Sequence, residues 1–311
     1  MRKYLRKLSL VGIAGLFLLS ATSCGSSSEM NTQDDVETSA DVYPVSVGDL
    51  TLESQPMKIV SLSPTATEML YAIGAGSQVV AVDEYSNFPE EAAALGTALS
   101  GFEPNVEAIG GYDPDLVIIA YDPTNLIEQL SALSIPVFVA GAAMSLENVY
   151  EQIEQLGVLT GHSQAAVEVA KSLQTSIEDA VSSVQFSEPP LSYYYELDNT
   201  YYSVTSNTFI GQIFNLFGMR NIADNVEAGN DYPQLSAEVI VSADPDFIFL
   251  ADTKCCAQDA ATVAARDGWG GLKAVTENQI VELDDDVASR WGPRVLELIT
   301  AIRDAVVAAT S

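Results

Sequence analysis

The sequence predicts an α/β protein of two similar lobes, each built on a parallel sheet and joined by a single long rigid helix. Three observations carry that prediction. First, one unit occurs twice: residues 106–120 read VEAIGGYDPDLVIIA and residues 237–251 read AEVIVSADPDFIFLA. At an offset of 131 places Glu107 meets Glu238, Ile109 meets Ile240, and Asp113-Pro114-Asp115 meets Asp244-Pro245-Asp246. Each copy reads as a short acidic-headed helical turn, a proline break, and an apolar run suited to a strand buried on both faces. A unit recurring once, at this separation, indicates two lobes rather than a solenoid, which needs at least three short repeats. Second, strand-like and helix-like segments alternate on both sides of the chain's middle, the pattern of parallel sheets with helices on their faces. Third, Ala166, Val169, Ala170, Leu173, Ile177, Ala180, Val181 and Val184 keep helical spacing between the two alternating regions. A helix from about Ser163 to Val184 would reach roughly 33 Å, about the span of a small domain.

The chain starts with Arg2, Lys3, Arg6 and Lys7, followed by the apolar run 8–19 and small residues up to Cys24. This is the layout of an export signal over residues 1–23, too short for a comfortable transmembrane span. Ala21-Thr22-Ser23-Cys24 resembles a bacterial lipoprotein box, with Ala21 in place of the usual leucine. It makes Cys24 the expected lipidation site, against the competing reading of an ordinary secretion signal. More than one acyl chain on Cys24 would give stable membrane anchoring. Residues 24–42 are small, polar and acidic and read as a disordered tether.

In the folded part, 58–63 reads as a strand, and Thr65-Ala66-Thr67-Glu68 has capping-box spacing that opens a helix running to Gly74. A strand at 78–82, the first repeat copy, a helix near 124–133 and a strand at 135–140 complete the N-terminal lobe, 43–160. An amphipathic helix at 145–159 precedes the connecting helix, assigned to 161–188. The C-terminal lobe, 189–311, has a strand at 191–197, a helix near 208–218, the second copy, a short helix at 269–275, a strand at 279–283 and a final helix from Pro293 to Ala309.

Composition narrows the function. Loss of residues 1–23 removes four basic and no acidic residues, leaving 9 Lys+Arg against 43 Asp+Glu, a net charge of about −34. Such a field argues against nucleic-acid binding. The only histidine, His162, is expected to be solvated at the start of the long helix, and one histidine argues against a zinc or manganese site. No Ser-His-Asp set, phosphate-binding loop or dinucleotide fingerprint is present, so no catalytic residue, cofactor or resident metal is expected. Beyond Cys24 the only cysteines are Cys255 and Cys256. Two readings stand: a strained vicinal disulfide, or two reduced thiols.

Ligands in open α/β sheets sit beyond the carboxyl ends of the strands. The residues that follow the expected strands are Tyr85, Tyr121, Asp252 with Lys254, and Asp284 to Asp286 before Arg290 and Trp291, while Tyr195 and Glu196 stand near the end of 191–197. Apolar walls with few oriented polar groups suit a bulky, partly apolar ligand. Arg290 has two readings: bidentate recognition of ligand oxygens, or a pair with Asp286.

The blocks KIVSLSPTATEMLYAIGAGSQVVAVDEYSNFPEEA, NVEAIGGYDPDLVI and RWGPRVLELI resemble the iron-complex and vitamin B12 substrate-binding proteins of ABC importers, over nearly all of 43–309. The resemblance implies two Rossmann-like lobes joined by one long helix, the class III periplasmic-binding-protein fold. It implies a monomer without enzymatic activity that partners with permease and ATPase subunits outside the cytoplasm. The ligand would be a metal chelate: a ferric siderophore or cobalamin before haem. It places Tyr85, Phe102, Tyr121, Tyr195 and Tyr232 around the cleft, with Asp286 and Arg290 from the last loop, and makes Glu107 and Glu238 the pair that docks on the permease. Trp291 and the Cys255-Cys256 loop depart from the vitamin B12 pattern, which leaves the ligand open. Two alternatives of other kinds are a redox or enzymatic protein using the cysteine pair, and an extracytoplasmic adhesin or sensor with the same lobes.

Overall fold

Short polar residues start most helices by accepting a backbone hydrogen bond from three residues ahead. Ser63, Asn105, Ser145, Thr208, Ser236 and Asp259 all do so. A computed structural model describes residues 42–97 and 99–310. The signal 1–23, Cys24 and the tether up to residue 41 lie outside the described residues.

A hairpin, β1 (Val45–Val47) and β2 (Leu50–Leu52), precedes the first lobe and has no counterpart in the sequence reading. The N-terminal lobe then runs β3 (Ile59–Leu62), α1 (Pro64–Ala72), β4 (Val79–Val82), α2 (Glu90–Ala93), α3 (Val106–Gly110), β5 (Leu116–Ile119), α4 (Leu126–Ser131) and β6 (Val137–Val139). Helices α5 (Leu146–Thr160) and α6 (Ser163–Ser182) follow. The C-terminal lobe runs β7 (Ser192–Glu196), α7 (Phe209–Asn215), β8 (Arg220–Asn221), α8 (Ala237–Ala243), β9 (Phe247–Leu250), α9 (Ala260–Ala264), α10 (Lys273–Thr276), β10 (Ile280–Glu282), α11 (Asp285–Ser289) and α12 (Val295–Thr310).

Both four-stranded sheets are parallel throughout, ordered β4-β3-β5-β6 and β8-β7-β9-β10. Within each lobe the strands therefore lie in the same spatial order: second, first, third, fourth. The repeated unit forms α3 with β5 in one lobe and α8 with β9 in the other, each strand lying beside the first strand of its lobe. All residues of β3, β5, β7 and β9 are buried, which explains their mostly apolar or aromatic character, with Ser61, Ser192 and Glu196 as buried polar exceptions.

The Asp-Pro-Asp of each copy has the same two roles. Asp113 and Asp244 take left-handed conformations (φ 51° and 45°), Asp244 as the C-cap of α8 and Asp113 two residues after the C-cap of α3. Asp115 Oδ2 accepts the backbone N–H groups of Met57 and Lys58 at 2.8 and 2.9 Å, just before β3. Asp246 Oδ2 accepts the N–H and hydroxyl of Ser192, at the start of β7, at 2.8 and 2.7 Å. The second aspartate thus pins the neighbouring first strand in register.

Helix α6 is about 30 Å long by its 20 residues. Ala166, Ala170, Leu173, Ile177 and Ala180 are buried, and one core cluster runs from Ile59 and Leu116 through them to Tyr193 and Phe249. The helix is thereby packed into both sheets' cores. Three local expectations need correction. Ser63, not Thr65, caps α1, so the capping-box spacing was fortuitous and leaves Glu68 free to turn elsewhere. His162 is half-buried, its Nδ1 held 2.9 Å from the Thr160 carbonyl oxygen. Val184 lies beyond the end of α6. Among the described residues no helix is long and apolar enough to cross a membrane.

Candidate functional site

The carboxyl ends of β3, β4 and β5 open on a cavity of about 480 Å³, closed on its other side by α11 and the residues after it. Tyr85 follows β4, Tyr121 follows β5, and Phe102 comes from the intervening loop. Tyr85 and Phe102 meet edge to face with centroids 5.6 Å apart, and Phe102 lies 6.3 Å from Tyr121. These three rings are 52%, 61% and 46% exposed, an aromatic patch that the fold leaves uncovered. Gly101 lies beneath it. A Cβ there would come within 2.8 Å of the Leu62 carbonyl oxygen, so the floor of the cavity requires glycine. A larger hollow of about 610 Å³ lies behind α1, away from the ends of the strands and the aromatic cluster. The cleft is the better candidate because the sheet and three aromatics converge on it.

The opposite wall comprises Asp286, Ser289, Arg290 and Trp291. Trp291 is half-buried and donates its indole N–H to Gln152 Oε1 on α5 at 3.2 Å. Tyr232, 56% exposed, lines a smaller adjoining cavity of about 170 Å³ with Asn207, Thr208 and Asp231, on the far side of Arg290 and Trp291. Of the eight expected ligand residues, Tyr85, Phe102, Tyr121, Asp286, Arg290 and Trp291 therefore share one cavity and Tyr232 borders the next.

Tyr195 does not reach either. It is fully buried, with its hydroxyl donating to the Ala288 carbonyl oxygen at 2.8 Å. A central strand sandwiched between helix layers buries both its faces, so being near a strand end does not place a side chain in the cleft. Tyr195 supports α11 from below.

Arg290 is used differently from the ligand-contacting reading. Its Nη1 donates to Glu68 at 2.8 Å and Asn87 at 3.0 Å, and its Nη2 to the Tyr85 carbonyl oxygen at 2.9 Å and Asp286 at 2.6 Å. Both terminal nitrogens are thus held by protein acceptors. Three of the four acceptors belong to the opposite lobe. Asp286 also accepts from Asn87 across the cleft at 3.0 Å and from Lys254 at 3.0 Å. Burial opposes its ionisation, but Lys254, Asn87 and Arg290 together keep its carboxyl below the ordinary value. Glu68 is buried and also accepts from Arg294, whose guanidinium lies 4.3 Å from the Phe88 ring centroid. Glu68, Asn87 and Arg294 were not assigned to the site from sequence, Glu68 being read only as part of a capping box. The signal available was an acid at the middle of α1 in a chain with few cations, which does not specify a partner more than 200 residues away.

Glu196 and Asp252, at the ends of β7 and β9, lie under the site rather than in it. Glu196 is fully buried and accepts both terminal nitrogens of Arg266 at 2.7 and 2.6 Å. Asp252 is fully buried, and among the described residues no N–H or hydroxyl donor reaches either of its carboxyl oxygens. The neighbouring Glu196 carboxylate can accept from it only when Asp252 carries a proton. Burial first, then Glu196, accordingly push the Asp252 carboxyl up to about 7.

Glu107 and Glu238 occupy the first turns of α3 and α8 and are exposed. Neither side chain is hydrogen-bonded or ion-paired to a described residue.

A model of the family described as periplasmic binding protein matches residues 59–287. The chain belongs to that family. The ABC transporter substrate-binding lipoprotein YvrC of Bacillus subtilis is 28% identical over 95% of this chain and 96% of its own length. A cobalamin-binding protein of Halobacterium salinarum is 32% identical over 82% of this chain and 71% of its own. The crystal structure of the vitamin B12-binding protein BtuF of Vibrio cholerae superposes with a TM-score of 0.69 at 25% identity, covering 82% of this chain and 98% of that one.

The cysteine pair lacks the environment of a nucleophilic catalyst. Both are free, with Sγ atoms 2.7 Å apart. Burial, then Cys256 and Asp285, push the Cys255 thiol up to about 12, opposite to the lowering that activates a nucleophilic cysteine.

Proposed function

We propose that this periplasmic binding protein is the lipid-anchored substrate-binding component of an ABC importer. Its ligand is a bulky metal chelate captured between the lobes, a corrinoid before a ferric siderophore and either before haem. The single observation that carries this reading is the exposed cluster of Tyr85, Phe102 and Tyr121 facing Trp291 across the cleft. Such a wall has large apolar area, little charge, and a nearby polar subsite around Asn207 and Asp231. The relatives named for cobalamin or vitamin B12 support the corrinoid order of preference.

In this reading Arg290 and Asp286 set the spacing of the lobes and the aromatics contact the ligand. Small closure of two rigidly joined lobes retains the chelate, and Glu107 and Glu238 then engage cationic groups of the permease. Anchoring through Cys24 keeps the protein at the extracytoplasmic membrane surface.

The test is thermal unfolding of residues 43–311 with cyanocobalamin, a ferric hydroxamate, a ferric catecholate and haemin. Cyanocobalamin is expected to raise the melting temperature through about 2.7 kcal/mol of linkage at a hundredfold excess over its dissociation constant. A shift with an iron chelate alone would reassign the ligand. No shift with any of the four would overturn the chelate reading and favour the sensor with the same lobes.

A further inference from the structure

The cysteine pair lines neither cavity of the site, yet it sits two hydrogen bonds from the junction between the lobes. Cys255 is exposed and Cys256 half-buried, and the turn ends at Ala257 in a left-handed conformation (φ 52°). The turn wraps one carboxylate: Thr253 Oγ1, Lys254 N and Cys255 N donate to Asp285 at 2.9, 2.9 and 2.8 Å. Asp285 opens α11, and the next residue, Asp286, holds Arg290 and Asn87. Lys254 Nζ adds ion pairs to Asp284 and Asp286 at 2.8 and 3.0 Å. Whatever changes the backbone at Cys255 therefore acts on the segment that grips the opposite lobe.

We propose that Cys255 and Cys256 form a reversible thiol–disulfide site whose closure loosens the hold of α11 on the N-terminal lobe. The reacting partner is a small-molecule disulfide of the glutathione class. One cysteine thiolate attacks a sulfur of that disulfide, expels one thiolate and leaves a mixed disulfide. The second cysteine thiolate then displaces the remaining thiolate and closes the pair. The two cysteines give up two protons and two electrons, and the small disulfide takes up both to become two thiols. Adjacent Cα atoms are held about 3.8 Å apart across a trans peptide, below the roughly 4.4–6.8 Å that disulfides usually span. The Sγ atoms already lie 2.7 Å apart, so closure needs only a small approach, and the strain of the ring it forms falls on the Cys255–Cys256 peptide and on the Cys255 N–H that Asp285 holds. The same strain makes the closed form easy to reduce, as befits a reversible site. With its raised thiol, Cys255 reacts slowly, so the pair reports the prevailing redox poise rather than turning over substrate.

The experiment equilibrates the purified full chain in glutathione buffers from fully reduced to fully oxidised and alkylates the remaining thiols. It then reads peptide masses and backbone hydrogen exchange. Peptide-level masses separate the pair from Cys24. The expected result is a 255–256 peptide lighter by two hydrogens and free of glutathione, with amides of 284–290 exchanging about tenfold faster in the oxidised protein. A Cys255→Ser/Cys256→Ser variant should show neither response. Thiols that stay free or keep glutathione across the whole range would overturn the proposal, and so would closure without a change in exchange at 284–290. No ligand is present in this assay, so its outcome is independent of the chelate-binding reading.

Discussion

Asp252 shows how a single buried carboxyl can make this protein's stability depend on pH. Its proton is bound more tightly in the folded chain, at about 7, than at the ordinary value of 3.8. The native state consequently carries the extra proton between those two values, and stability falls as pH rises through that window. The contribution is complete below about pH 3.8 and lost above about pH 7. Asp252→Asn removes the ionisation and is expected to stabilise the fold near pH 8 by up to about a few kcal/mol, read as a higher melting temperature, with the gain shrinking towards pH 4. A variant no more stable than the parent near pH 8 would show that Asp252 is accommodated as an anion. Neither the value nor its direction was legible from the sequence. Asp252 follows an apolar run, as a ligand-facing residue also would, and its burial first, then the positions of Glu196 and Arg266, decide its state.

At the scale of elements, α1 and the α11–α12 segment are joined by a buried ionic network rather than by apolar packing alone. Glu68 and Arg290 are 1% and 8% exposed at their side chains, so removing either takes a partner from a desolvated charge, leaving Glu68 with Arg294 alone or Arg290 with Asp286 as its one remaining ion pair. Arg290→Met is expected to cost about 3–5 kcal/mol in denaturant unfolding. Glu68→Leu with Arg290→Met should cost clearly less than the sum of the single changes. Additive costs would mean that the two side chains act separately. This network was the least legible part of the site. The loop's Asp286 and Arg290 could be picked out, and their mutual pairing was one of two readings, but the acceptors across the cleft are fixed by how the lobes meet. The repeated Asp-Pro-Asp was the most legible element, because its helix stop and strand anchor use neighbours within one lobe.

For the whole molecule, net charge and the two unpartnered glutamates are the properties seen from outside. A formal charge of −30 repels itself in the compact state. Raising sodium chloride from about 10 mM to 1 M shortens the Debye length from roughly 30 to 3 Å and is expected to raise the melting temperature. A fall would mean that attractive ion pairs outweigh the repulsion. Glu107 and Glu238 stand at equivalent places on equivalent helices, one per lobe. Glu107→Lys with Glu238→Lys is expected to abolish chelate uptake by cells while leaving the dissociation constant of the purified protein unchanged. Weakened binding by the purified variant would remove the docking role.

What the sequence determined by itself was whatever depends on period and local chemistry. The alternation of strands and helices, the apolar runs of central strands, the long helix and the twofold repeat all follow from spacing and from proline, and the structure reproduces them. The aromatic wall was legible too, since Tyr85 and Tyr121 follow strands whose carboxyl ends must open on a cleft. Tertiary structure alone decided which strand-end residues face that cleft. Tyr195 lies within β7, whose faces are both covered, and is buried, whereas Tyr85 and Tyr121 lie past the ends of their strands and open on the cleft. It decided the partners of Arg290 as well, because a guanidinium binds whichever acceptors the folded lobes bring to it, and sequence separation carries no information about those distances.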